Sequence, residues 1–376
     1  MTAMISHVFL QGYWWVIVSL LASLLGFLLF VQGGQTFIFS LPADQLRRKM
    51  IINTLGRKWE FTFTTLVTFG GAFFAAFPLF YATSFGGAYW VWMAILFSFI
   101  IQAVAYEYRS KPANIYGKNT YDIFLLINGS LGPFLLGTAV ATFFTGSHFS
   151  LDQMNRVEWQ TQWYGLEALT DIRNLSLGFA VLCLARVNGL LFIIKTVDDE
   201  DINKKAARKV IMNSLFFLVF FLYFITVILT AEGYALDPYG GTIYLEKYKY
   251  LHNFLQMPAV LVLFIAGVAG VLYGIFIAVF RAGSNGIWFT GPATVLTVFA
   301  IFMTAGFNNT AFYPSAVDLQ SSLTIYKASS SLFTLKTMMY VSFLIPFILI
   351  YIWYAWKSIT SNPVIAGEME SGEHTY

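Results

Sequence analysis

Cysteine is nearly absent from this 376-residue sequence: Cys183, inside an apolar run, is the only one. A lone cysteine makes no internal disulfide, iron–sulfur site or cysteine-rich zinc site. Charge is also scarce. Charged residues make up 11% of the chain, where a soluble domain carries about 25%. The net charge of +3 is spread over loops, so no basic arm for nucleic acid is present. No Lys or Arg precedes the first apolar run. That run is too long for the core of a cleavable signal peptide, so the first helix is read as retained. Apolar–polar alternation is missing too. The runs at 215–230 and 341–356 are continuous, which excludes a barrel of short alternating strands.

What is present is hydrophobicity, at 58% of residues. A core grows too slowly with size to hide that surplus in water. In lipid the backbone must satisfy its own hydrogen bonds, and helices do so. The sequence predicts an all-α, polytopic integral membrane protein with about nine transmembrane helices, forming one helix-bundle membrane domain over residues 1–376. Windows of bilayer-spanning length fall at 13–39, 60–83, 89–106, 122–144, 173–194, 210–231, 257–280, 287–307 and 336–356. Pro78 and Pro133 lie inside the second and fourth, where kinks are expected. Only Ser84 to Gly87 separate the second and third, which predicts a tight hairpin.

Fifteen Lys and Arg lie on one side of these spans and five on the other. Because the basic side faces the cytoplasm, the N-terminus is expected outside and the C-terminus in the cytoplasm. The outside loops are the longer ones.

The four histidines, His7, His148, His252 and His374, all fall outside the interior of a span. A membrane haem needs His, Met or Cys ligands on facing helices. Methionines are available, but paired His–Met ligation inside the bilayer is not. Any haem is therefore expected on another subunit.

An intramembrane charge is a functional candidate because it costs at least about 2.5–3.5 kcal/mol. Arg186 stands near the middle of the fifth span, followed by Asn188 and Gly189. A carboxylate on a neighbouring helix or subunit is its expected partner; a tilted helix that lets it snorkel is the plainer account. Glu60, after Trp59, is either a proton-uptake carboxylate aided by Thr62, Thr64 and Thr65, or an acid favoured by the helix dipole. Glu107 is expected to pair with Arg109 at the interface, and Asp122 to serve the dipole of the fourth span. Gln32, Gly33, Gly34 and Gln35 interrupt the first span, and helix packing explains them better than a ligand site does. The heavy aromatic content indicates no cofactor pocket by itself. A secondary transporter or channel would also carry an intramembrane arginine and a broken helix, although no inverted repeat is visible.

Several ordered motifs resemble subunit II of the cytochrome bd-type quinol oxidases. They are Arg47-Arg48-Lys49-Met50-Ile51-Ile52-Asn53, Trp59-Glu60, and Gly70-Gly71-Ala72-Phe73-Phe74-Ala75-Ala76-Phe77-Pro78. They continue with Tyr106-Glu107-Tyr108-Arg109-Ser110-Lys111, then Tyr313-Pro314-Ser315 and the stretch from Ser322 to Ser331. Order and spacing agree over the first third and last fifth of the chain; the middle matches by hydropathy alone. The resemblance implies a haem-free subunit of a bacterial inner-membrane oxidase. Its partner, subunit I, would hold haems b and d, oxidise membrane quinol and reduce oxygen to water. Protons would be drawn from the cytoplasm, so turnover would build a proton gradient. The resemblance leaves room for a structural quinone or lipid and for a small accessory subunit. It also implies proton-path roles for Glu60, Glu107 and Asp122. The family's two early aspartates align with Gln32 and Gln35, which do not ionise, so that part of a proton route does not carry over.

Overall fold

The computed structural model describes residues 6–112, 114–281, 283–359 and Val364. Helix starts are marked by short polar side chains that take up free backbone N–H groups. Ser6 accepts from the amide of Phe9 at 3.2 Å, Asp44 from that of Arg47 at 2.8 Å, and Asp199 from that of Ile202 at 2.9 Å.

The first span comprises α1 (His7–Leu28) and α2 (Phe30–Gln35), joined with a slip at Leu29. It begins and ends a turn or so earlier than predicted. The helix α3 (Gln45–Gly56) and α4 (Trp59–Ala76) follow. The predicted straight run at 60–83 is not one helix. The helical stretch ending at Ala76 meets Pro78–Gly87 at 117°, because Pro78 cannot donate to the preceding turn. A short α5 (Pro78–Phe80) and a π-helical turn (Tyr81–Gly87) then lead into α6 (Tyr89–Tyr108). The turn is packed by Phe85 stacked on Trp92, with centroids 3.9 Å apart. By contrast α7 (Lys118–Thr145) runs through Pro133 as one helix.

Strands β1 (Phe149–Leu151) and β2 (Val157–Trp159) precede α8 (Ile172–Thr196) and α9 (Glu200–Thr230). The helix of the sixth span thus begins ten residues before the predicted apolar window, since the charged stretch ahead of it is also helical. Next come β3 (Glu232–Leu236), β4 (Ile243–Lys247), α10 (Lys249–Gln256), α11 (Pro258–Phe280) and α12 (Ile287–Gly306). Strands β5 (Ala311–Tyr313) and β6 (Leu323–Thr324) lead to α13 (Leu332–Ser342) and α14 (Ile345–Ile359), bent by 41°. Among the described residues seven helices are long and apolar enough to cross a membrane, and counting each bent pair as a span gives up to nine.

The span containing α8 is the most buried and α11 the least. Helix α2 crosses α8 where Gly33 and Gly34 meet Ala185 and Gly189; a Cβ on Gly33 or Gly189 would collide with the facing backbone. The three antiparallel hairpins β1–β2, β3–β4 and β5–β6 form a layer at one end of the bundle. The sequence predicts only loops there. The layer also closes over α1. His7 bonds the carbonyl of Ser330 at 3.0 Å, Gln11 donates to Ser329 at 2.7 Å, and Trp14 donates to the carbonyl of Leu335 at 3.1 Å.

Candidate functional site

Polar side chains gather where α2, α6 and α7 meet. On α6 and at its C-cap they recur at Ser98, Gln102, Tyr106 and Arg109, a spacing that places them on one helix face. All four are buried. The facing α7 contributes Asp122 and Asn128, and Gly129 leaves room for the backbone of α2 at Gln32.

Asp122 is fully buried and forms the ionic end of the cluster. Arg109 reaches it with Nε at 2.5 Å and Nη2 at 3.4 Å, while Arg48 of α3 lies 3.5 Å from its second oxygen. The expected partner of Arg109 was Glu107, but Glu107 points out and is exposed. Asp122 also lies beyond the first turn of α7, so its role is the ion pair, with the dipole secondary. A buried carboxylate held by two guanidinium groups has its charge compensated on the spot.

Above this pair the cluster is neutral. Gln32 donates to Gln102 at 3.1 Å, Gln35 donates to the Tyr106 hydroxyl at 3.1 Å, and Asn128 lies 3.5 Å from the Ser98 hydroxyl. The Trp59 ring stacks on Tyr106 with centroids 5.8 Å apart and walls off one side. Four buried amide atoms have no protein partner: Gln32 Oε1, Gln35 Oε1, Gln102 Nε2 and Asn128 Oδ1. Three acceptors and a donor in one buried cluster are what ordered water satisfies.

Glu60 stands apart, exposed in the first turn of α4. The threonines expected to extend a path from it are turned into helix backbone. Thr62 donates to the carbonyl of Leu28, Thr64 to that of Glu60 and Thr65 to that of Phe61. Arg186 is half-buried over the ring of Phe37, 4.7 Å from its centroid, and no carboxylate among the described residues pairs with it. Sequence reasoning overlooks Arg48, Gln102 and Asn128 as members of the site. The recurrence of polar residues along one face of the otherwise apolar α6 was the signal for Gln102.

A second hollow, of about 650 Å³, opens at the end carrying the hairpins. Its polar groups are paired with one another. Glu167 accepts from Trp159 at 2.7 Å, and Asp171 accepts from Arg173 at 2.6 Å. Burial pushes the Asp171 carboxyl up, but the Arg173 guanidinium and backbone N–H groups outweigh that and hold it below its usual range.

The described histidines do not fit a haem ligated across the membrane. His7, His148 and His252 sit in or beside the hairpin layer, and His252 is bonded to Glu246 at 2.8 Å; His374 lies outside the described residues. Among the described residues no group of three His, Cys, Asp or Glu could hold a metal ion.

These features define a multi-pass membrane helix bundle with a buried polar cluster near its basic end. The sequence model of the family "Cytochrome bd terminal oxidase subunit II" matches residues 10–359, and the chain belongs to that family. It is 28% identical to cytochrome bd-I ubiquinol oxidase subunit 2 of Escherichia coli (strain K12), covering 94% of this chain and 95% of that one. Identity to cytochrome bd ubiquinol oxidase subunit 2 of Bacillus subtilis (strain 168) is 27%, covering 94% and 97%. The fold resembles a chain of the bd oxidase from Geobacillus thermodenitrificans, with a TM-score of 0.64 at 13% identity over 94% of this chain and 99% of that one. The family makes this chain a subunit of a cytochrome bd quinol oxidase, a respiratory oxidoreductase, and sets the transporter or channel reading aside.

Proposed function

We propose that this chain is the haem-free subunit II, which supports a partner, subunit I, that holds haems b and d, oxidises membrane quinol and reduces oxygen to water. The placement of the histidines supports the haem-free reading. We infer further that the basic end faces the cytoplasm and the hairpin layer faces outside, from the fifteen-to-five imbalance of Lys and Arg.

The open face of α4 suits the partner. Glu60, Thr64, Thr68 and Gly71 recur at helical spacing and are all exposed. Small and polar residues pack membrane helices against one another better than against lipid. The hydroxyls of Thr64 and Thr68 already donate to their own helix, which leaves Glu60 as the ionisable group on that face. Its exposure there is the observation that carries its role: Glu60 takes protons from the cytoplasm and passes them across the subunit boundary. Glu107 and Asp122 are secondary candidates, since Glu107 is exposed nearby but Asp122 is locked by arginines.

Measured on the assembled oxidase, Glu60→Gln should slow quinol oxidation and proton uptake at unchanged haem content, with Glu60→Asp less affected. A dipole role predicts a stability loss of about 0.3–1 kcal/mol and normal turnover. Normal turnover and proton uptake in Glu60→Gln would retire the proton reading.

A further inference from the structure

Arg186 belongs to neither the buried cluster nor the α4 face, and its surroundings are distinctive. The ring of Phe37 carries two cations: the guanidinium of Arg186 at 4.7 Å and the ammonium of Lys209 at 5.8 Å from its centroid. Neither is paired with a carboxylate among the described residues, and Arg186 Nε has no hydrogen-bond partner. Both side chains are only partly covered. Two neighbouring positive charges without a counterion among the described residues call for an anion.

Their depth identifies it. Helices α8 and α9 form a hairpin whose turn lies between Thr196 and Glu200. Arg186 is ten residues before the end of α8 and Lys209 is the tenth residue of α9, so each stands about 15 Å from the turn. The first ten residues of α9 include Glu200, Asp201, Lys204, Lys205, Arg208 and Lys209, and the apolar run starts at Val210. The hydrocarbon boundary thus lies at Lys209. Arg186, central in its own helix, is at the level of lipid headgroups.

The surface on the apolar side suits acyl chains. Phe179, Leu182 and Arg186 share one face of α8. Phe179 lies between Phe134 of α7, tilted against it at 4.8 Å, and Phe220 of α9, stacked on it at 5.1 Å between centroids. An apolar aromatic wall therefore runs into a pair of unpaired cations. Basic pockets of this kind between membrane helices hold anionic headgroups.

We propose that Arg186, Lys209 and Phe37 form a binding site for the phosphate of one anionic phospholipid, whose acyl chains lie along Phe179 and Leu182. Arg186 and Lys209 donate hydrogen bonds to phosphate oxygens, and Phe37 fixes both cations in place.

The test is native mass spectrometry of the intact oxidase complex, delipidated and then returned to nanodiscs of phosphatidylglycerol or of phosphatidylcholine. The wild-type complex should retain one phosphatidylglycerol through detergent extraction and no phosphatidylcholine. The double variant Arg186→Gln/Lys209→Gln should lose that lipid at least tenfold more readily, whereas Arg208→Gln should keep it. Equal retention by the double variant would overturn the site. So would displacement of the wild-type lipid by millimolar inorganic phosphate, which would mark a free-anion site. Loss of subunit I from the double variant with lipid retention unchanged would show that the missing counterion belongs to the partner protein, and would also overturn it.

Discussion

Asp122 is the residue whose charge the buried cluster can least spare. Asp122→Asn keeps the shape but leaves Arg109, which is almost wholly buried, facing a neutral group. Breaking a buried pair on one side costs about 3–5 kcal/mol. The expected outcome is a lowered unfolding midpoint and less assembled oxidase in membranes, with normal turnover per complex recovered. Reduced turnover per haem at normal stability would instead put Asp122 on the proton route. The sequence made Asp122, Arg109, Gln32 and Gln35 visible, because polar side chains in apolar spans stand out. It did not reveal their pairing. Arg109 is two residues from Glu107 and thirteen from Asp122, and sequence proximity favoured the wrong carboxylate; the helical rise of α6 turns Glu107 outward and Arg109 inward. Arg48 was hidden in a run of basic residues that reads as a loop signal.

Among the elements, the spans were legible from hydropathy, since twenty apolar residues have one stable form in lipid. Their breaks were less so. Pro78 ends a helix and Pro133 does not, although both interrupt apolar runs. Pro78 opens a new helical segment after Phe77, where its fixed φ suits a first turn. The short strands were illegible because each pairs over at most five residues and is held by neighbouring loops. One such tie is titratable. Glu246 of β4 accepts from His252 at 2.8 Å and pairs with Lys249 of α10 at 3.1 Å. Burial pushes its carboxyl up, but these two partners outweigh burial and hold it below the usual range. A depressed folded value stabilises the fold above the ordinary carboxylate pKa of about 4.3. That contribution is lost as pH falls through the folded value. Amide exchange over residues 243–256 should therefore accelerate as pH drops from about 5 to about 3, after correction for intrinsic rates. Glu246→Gln should flatten that dependence; an unchanged profile would refute the tie.

For the whole molecule, its orientation and the covering of α4 each have a direct test. A reporter fused to the C-terminus should be active in the cytoplasm; activity only outside would reverse the assignment drawn from the basic loops. Gly71 offers a clean probe of the partner face, because a Cβ there meets nothing within 4 Å inside the chain. Gly71→Leu should leave this subunit inserted and folded yet reduce the haem-bearing protein that co-purifies with it severalfold. Full co-purification would place the partner on another face.

The bonds from α1 to the end of the chain have a bearing on biosynthesis. His7, Gln11 and Trp14 find their partners at Ser330, Ser329 and Leu335, more than 300 residues later. Chains grow at about 5–20 residues per second, so the first helix waits roughly 15–60 s in the bilayer before those partners are made. Throughout that interval its N-terminal half presents an imidazole, an amide and an indole without the partners they have in the folded protein. Synthesis must run past residue 335 before this end of α1 can settle, and a chain cut short before residue 329 would expose that end to membrane quality control.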